Sequence, residues 1–154
     1  MRLSDLPVVN CPECDGDGGI RGPEQDEMLF VCQRCLGDGE VPDCAFCEIT
    51  WGRRASSTWE RGICSFEPLN PVTEGHRLFV PTRHAEHPSA DVVAEAMRAA
   101  ARYGEMRSED FNLITSSGSA ATQTIQHVHV HYVPRREGDG LTLPWTGQKR
   151  GDQS

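Results

Sequence analysis

No apolar run in this chain approaches the ~20 residues that a membrane-spanning helix needs. The opening segment, Met1 to Pro7, lacks the apolar stretch of a secretory signal. These absences lead to the expectation of a cytoplasmic protein, where seven cysteines point to metal ligation rather than to disulfides. Nothing in the chain is low-complexity. Basic residues are scarce in the first 43 positions, where Arg2, Arg21 and Arg34 stand against ten acids, giving −7 of the whole chain's −8. Such a segment repels phosphate backbones, which weighs against a general nucleic-acid binder. With 154 residues, 37% of them hydrophobic, and with 15 glycines and 10 prolines, the chain can build one modest core with many turns.

What the first third does have is a near-repeat. Cys11-Pro12-Glu13-Cys14-Asp15-Gly16-Asp17-Gly18 matches Cys32-Gln33-Arg34-Cys35-Leu36-Gly37-Asp38-Gly39 as Cys-x-x-Cys-x-Gly-x-Gly. Each Cys-x-x-Cys makes a knuckle that aims two thiolates at one point, and the glycines permit positive φ angles there. Two knuckles give a closed four-cysteine site of the structural zinc type. A segment of some 40 residues needs such a staple, because it cannot bury a sufficient core alone. Two redox dithiols are the alternative, disfavoured by the paired spacing. The repeat resembles the cysteine-rich module of J-domain co-chaperones, with two copies where that family has four.

The densest chemistry lies near the other end. His127-Val128-His129-Val130-His131 holds three of the six histidines. Alternation predicts a β-strand over Ile125 to Val133 with all three imidazoles on one face, about 7 Å apart. Imidazole titrates near neutrality and can attack, donate protons or bind metal.

Residues 127–133 are identified as the signature of the histidine triad family of nucleotide hydrolases and transferases. Phe66 to His84, Phe111 to Ile114, Ser116 to Gln123 and Cys44 to Ile49 resemble the family's other segments in the same order, so the likeness spans residues 43 to about 136. It implies an α+β fold, a five-stranded antiparallel sheet with one main helix, preceded here by a small acidic zinc ribbon. The chain then divides into a ribbon (1–42), a histidine-triad domain (43–136) and a polar tail (137–154) whose Leu141, Leu143, Pro144 and Trp145 dock on the body. Strands are expected over Trp59 to Phe66, Arg77 to Val80 and Phe111 to Thr115, with a loop at 51–58. The helix starts after His87-Pro88 with Ser89 as N-cap, buries Val93, Ala96, Met97, Ala100 and Ala101, and stops at Gly104.

The resemblance also implies roles. Cys44 and Cys47 join His84 and His127 in a second zinc site, giving two zinc ions per chain; His87 is a rival ligand for His84. Cys64 is a core thiol. His129 is the nucleophile that attacks an α-phosphorus and forms a nucleotidyl-histidine. His131 assists at the phosphate or leaving group, and His76 buttresses the triad or is simply structural. Asn112, Ser116, Gly118, Gln123 and Thr124 are expected to bind substrate, Gln123 and Thr124 at positions that contact phosphate, Ser116 and Gly118 in the phosphate loop and Asn112 near the site. Two departures stand out: Ser116 replaces an asparagine, and Pro68 falls where an acid often holds the ribose, with Glu67 one place away. The substrate class is a nucleoside phosphoramidate, acyl-nucleotide or dinucleoside polyphosphate, and a homodimer is expected. Alternatives are a nucleotidyl transferase, which His131 disfavours because those enzymes carry glutamine there, removal of adenylate from nucleic-acid ends, and a non-enzymatic zinc-stapled adaptor whose ribbon binds a protein segment and whose triad is vestigial.

Overall fold

A computed structural model describes residues 8–11, 14–21, 28–32, 35, 37–53, 57–60 and 62–142. The N-terminal part holds two short hairpin-like pairs. Strand β1 (Val8–Asn10) pairs antiparallel with β4 (Glu40–Pro42), and β2 (Gly19–Arg21) with β3 (Met28–Val31). The two sequence repeats lock reciprocally. The Cys11 N–H donates to the Gly39 carbonyl at 2.7 Å, and the Cys32 N–H to the Gly18 carbonyl at 2.9 Å. Gly18 and Gly39 have φ of +75° and +73°, and a Cβ on either would collide with the carbonyl of Gly37 or Gly16 in the opposing knuckle. The second glycine of each repeat is therefore demanded by how closely the knuckles approach.

Helix α1 (Ala45–Glu48) follows directly and runs into one wide helical turn at Ile49–Arg53. A five-stranded antiparallel sheet comes next, in the order β5-β6-β7-β9-β8, formed by β5 (Ser57–Glu60), β6 (Ile63–Phe66), β7 (Arg77–Pro81), β8 (Phe111–Ile114) and β9 (Val130–Pro134). The expected single strand over Trp59 to Phe66 is thus two strands, reversed at Gly62, whose φ is +78°. The expected loop at 51–58 is part helical turn and part β5, residues 54–56 lying outside the described set.

Alternation along β7 and β9 gives the sheet two different faces. Phe79, Val130 and Tyr132 pack with Ile63 against Ala96, Ala99 and Ala100 of helix α2 (Ala90–Arg107). Leu78 and Val80 face the other way, onto Phe46 and Phe66. Ser89 occupies the N-cap position without a side-chain cap bond, and Met97 packs in the core. The helix does not stop at Gly104. It continues to Arg107 and ends at Ser108 in the left-handed region, while Gly104 admits the Phe111 ring, leaving no room for a Cβ. The sequence expectation took that glycine for a terminator when it is a packing notch.

The triad segment also differs from expectation. Only Val130 onward is strand; the His127 N–H bonds the Ile125 carbonyl at 2.8 Å and the Val128 N–H bonds Ala85 at 2.6 Å. These bonds leave His127 and His129 outside the strand ladder, which begins at Val130. After β9, Arg135 anchors the start of the tail through Asp139, at 2.7 and 3.0 Å, and the Leu141 carbonyl, at 2.7 Å. Leu143, Pro144 and Trp145 lie outside the described residues. Among those residues, no helix is long and apolar enough to cross a membrane.

Candidate active site and metal centres

Four cysteines converge in the N-terminal part. The Sγ atoms of Cys11 and Cys32 lie 3.8 Å apart and those of Cys14 and Cys35 3.7 Å apart, all four residues being buried. These separations are far beyond a disulfide bond. They match the edge of a tetrahedron of thiolates around zinc, about 3.8 Å for Zn–S bonds of 2.3 Å. The Gly18 N–H donates to Cys14 Sγ at 3.2 Å, the kind of bond that steadies a ligating sulfur. Burial raises the Cys35 thiol, yet the Gly37 and Gly39 amides, with the Cys14 and Cys32 sulfurs adding, bring it down to about 7.

A second cluster joins Cys44, Cys47, His84 and His127, with all four ligand atoms within 4.8 Å of one another. His127 Nδ1 lies 3.5 Å from each sulfur, and His84 Nδ1 lies 3.3 Å from Cys47 Sγ. Hydrogen bonding with Cys47 outweighs burial and, with His127 and His84 adding, drives the Cys44 thiol far below its usual range. The His127 Nε2–H donates to the Pro81 carbonyl at 3.0 Å, which leaves Nδ1 as the metal-facing lone pair. Two thiolates and two imidazole nitrogens fit a closed structural zinc site. His87 is not in this cluster; its Nε2 lies 3.9 Å from Glu86 Oε2. Cys64 is buried in β6, its Sγ directed to the Thr50 carbonyl. Trp51 packs against both cysteine clusters and donates its Nε1–H to the Thr82 carbonyl at 2.9 Å, tying the two clusters to one framework.

The catalytic candidates lie beside the second cluster. His129 Nδ1 is 2.7 Å from the His127 carbonyl, so it carries the proton and leaves Nε2 with a free lone pair. A hydrogen bond from Thr115 Oγ1 to the His129 carbonyl, 2.8 Å, fixes the backbone there. His76 Nδ1 accepts from the Val72 N–H at 3.2 Å, so its Nε2–H donates to His131 Nδ1 at 3.0 Å. His131 is thereby set as the Nε2–H tautomer. All three imidazoles are held neutral. Burial lowers His76 against the opposing charge of Glu67, burial likewise lowers His129, and burial followed by the neighbouring His129 and His76 lowers His131 to about 4.

His129 and His131 line an open cavity of about 600 Å³. Its apolar walls include Phe46, Ile49, Phe66, Leu69, Leu78 and Ile125; its polar edge includes Ser116, Thr122 and Thr124. Glu67 and Pro68 sit side by side at the rim, so an acid is present though displaced by one position. Three expected substrate-binding residues are engaged elsewhere. Gln123 accepts the Gly118 N–H at 2.8 Å and donates to the Ile125 carbonyl at 3.1 Å, so Gln123 and Gly118 brace the loop against itself. Asn112 Oδ1 accepts from Arg135 Nη1 at 2.6 Å and is not among the residues lining the cavity.

Phe46, Thr115, the Val72 amide and the Pro81 carbonyl escaped the sequence reading. Backbone partners carry no residue-type signal. Phe46 had one, its place inside a Cys-x-x-Cys knuckle.

The HIT domain profile matches residues 61–138. Among curated proteins the chain is 34% identical over 138 residues to Adenylylsulfatase HINT3 of Arabidopsis thaliana, covering 77% of this chain and 70% of that one. It is 33% identical over 90 residues to Adenosine 5'-monophosphoramidase HNT1 of Saccharomyces cerevisiae, covering 55% and 57%. Among solved structures, a zinc-bound histidine triad family protein from Mycobacterium smegmatis superposes with a TM-score of 0.60 at 28% identity, over 66% of this chain and 81% of that one. The profile covers half of the chain, including strands β6 to β9, the main helix and all three catalytic candidates, and on that ground the chain belongs to the HIT domain family.

Proposed function

We propose that the protein is a nucleotide hydrolase that cleaves at the α-phosphate of a nucleoside phosphoramidate, acyl-nucleotide or dinucleoside polyphosphate. The observation that carries this reading is His129 in the cavity wall, neutral, with Nδ1–H tied to the His127 carbonyl and Nε2 free to attack. The Nε2 lone pair forms a bond to the α-phosphorus while the bond to the leaving group breaks, and that group departs with the electron pair, an amine taking up a proton from solvent as it leaves. Water then adds to phosphorus, the electron pair returns to Nε2, and a nucleoside monophosphate is released as the water's proton passes to solvent. Charge that builds on the non-bridging oxygens meets the His131 Nε2–H and the hydroxyls of Ser116, Thr122 and Thr124. Gly118, Gln123 and Asn112 act indirectly, by shaping the loop and the neighbouring strand.

Each cysteine cluster holds one zinc in this reading, and each metal supplies a structural cross-link rather than an open catalytic position. Residues 1–42 form the zinc ribbon, 43–136 the catalytic domain and 137–154 the tail. The exposed Val8, Val9, Phe30 and Val31 favour a protein segment as the ribbon's partner, and its acidic charge disfavours nucleic acid. We place the enzyme in the cytoplasm as a homodimer. The relatives named for adenylylsulfatase and phosphoramidase activities support the substrate class.

A panel of adenosine and guanosine phosphoramidates, adenylyl sulfate and dinucleoside polyphosphates, assayed with wild type and His129→Ala, tests this. Turnover by wild type that vanishes in a folded, zinc-replete variant is the expected result. Equal turnover by both would overturn it.

A further inference from the structure

The Cys44-Ala45-Phe46-Cys47 knuckle carries an aromatic ring between two metal-directed thiols, and that ring reaches the reacting centre. Phe46 is 6% exposed. Its ring lies 5.2 Å from the His129 ring at 82°, 6.1 Å from His127 at 61° and 5.6 Å from Phe66 at 68°. It also forms part of the cavity wall. One side chain therefore touches a metal ligand, the attacking imidazole and the space for substrate.

His129 needs such a neighbour. Among the described residues, its ring hydrogen bond runs from Nδ1 to the His127 carbonyl. A single bond at one nitrogen fixes the tautomer but leaves the ring free to swing about that anchor. Among the described residues no acidic side chain is hydrogen-bonded or ion-paired to it. What limits the swing is the pair of steeply inclined rings on its flanks, Phe46 at 82° and His131 at 66° with centroids 5.1 Å away. His131 is in turn held by His76. Phe46 is held by the knuckle: the Glu48 N–H bonds back to the Cys44 carbonyl at 3.1 Å, and both cysteines are drawn into one ligand set.

We infer that Phe46 is a positioning residue through which the Cys44/Cys47/His84/His127 centre sets the orientation of the His129 imidazole. The inference rests on the reading of His129 as nucleophile. Metal at this centre fixes both contacts of His129, the carbonyl through His127 and the ring through Phe46. Loss of the metal releases both, although neither His129 nor Phe46 is a ligand. An aromatic wall that merely binds substrate raises KM, whereas a group that aligns the attacking atom lowers kcat, and a misplacement of about 1 Å can cost on the order of 10²-fold.

The test uses the full chain with both zinc ions bound, at a fixed neutral pH, as Phe46→Leu, Phe46→Ala and Phe46→Tyr, with ¹⁵N-histidine NMR of the ring nitrogens beside steady-state kinetics. Wild type is expected to show His129 as a single Nδ1–H tautomer. Phe46→Leu and Phe46→Ala are expected to show a mixed or exchange-broadened His129 signal and kcat lowered about 10- to 100-fold with KM changed less than about threefold. Phe46→Tyr restores both. Chelator removal of zinc from wild type is expected to broaden the same His129 signal while His76 keeps its own. An unchanged His129 signal in Phe46→Leu, with the loss confined to KM, would overturn the inference and leave Phe46 as a wall. The NMR arm needs no substrate, so a wild type inactive on the panel would count against the hydrolase reading without deciding this one. Phe46→Leu keeps the experiment decisive if Phe46→Ala does not fold.

Discussion

The proton on His129 Nδ1 points at the carbonyl oxygen of His127, 2.7 Å away, so a member of the two-cysteine, two-histidine cluster also sets the tautomer of its neighbour two positions on. The arrangement joins the structural and chemical halves of the triad. Its consequence is that His129 presents an unprotonated Nε2 without needing an acidic partner.

Neutral imidazoles give a definite pH dependence. Burial lowers His129, and His131 is lowered to about 4, so neither gains a proton at neutrality. The acid limb of kcat/KM is expected below pH 6.5, with a flat profile from there to neutrality. For stability the sign is the same. A histidine whose folded pKa is depressed contributes stability above its unfolded value of about 6.5 that is lost as pH falls towards the folded value, here for His131 from about 6.5 down to about 4. Rate and melting profiles across pH 4 to 8, with zinc content followed in parallel, check this; an acid limb centred at pH 7 or above contradicts it.

His76 acts at one remove. Because the Val72 amide occupies Nδ1, only Nε2 carries a proton, and that proton fixes His131. His76→Ala is expected to lower kcat by about 10- to 100-fold with a smaller effect on KM. His76→Gln, which keeps a donor near the same place, recovers part of the loss. Equal activity in His76→Ala would reduce the residue to a structural role.

The metal centres are separable by count. Wild type purified without chelators is expected to hold two zinc ions per chain, and Cys44→Ser/Cys47→Ser one. Cys11→Ser/Cys14→Ser also holds one, the ion remaining at the triad-side centre. Elemental analysis reads this directly, and a count of two in Cys44→Ser/Cys47→Ser removes the second site.

Gly104 provides a test of packing far from the chemistry. A methyl group there meets the Phe111 ring at once. Gly104→Ala is expected to destabilise by about 1–3 kcal/mol through overpacking, despite alanine's higher helix propensity. Denaturant unfolding measures it; a stabilised variant contradicts the packing shown.

Several features were legible in the sequence because they depend on residue type at fixed spacing. Cys-x-x-Cys-x-Gly-x-Gly encodes a knuckle whether or not the rest is known, and the two copies meet as expected. The apolar stripe of α2 and the five-stranded sheet followed from periodicity and resemblance. What was hidden depends on backbone partners. Nothing in His-Val-His-Val-His reveals that the Val128 amide turns to Ala85, so the row of imidazoles was read as one strand. Gly104 reads as a helix stop until Phe111 is seen filling its space. The resemblance places Gln123 at the phosphate and Asn112 near the site; it carries no sign of the bonds that Gln123 makes with Gly118 and Asn112 with Arg135.

The measurement that bears most directly on the central claim is rapid quenching of the wild type with an adenosine 5'-phosphoramidate, followed by peptide mass spectrometry under conditions that preserve phosphorus–nitrogen bonds. The account predicts a nucleotidyl adduct on His129, formed within the first turnover and absent from His129→Ala. An adduct on another residue, or undiminished turnover by His129→Ala, would contradict it.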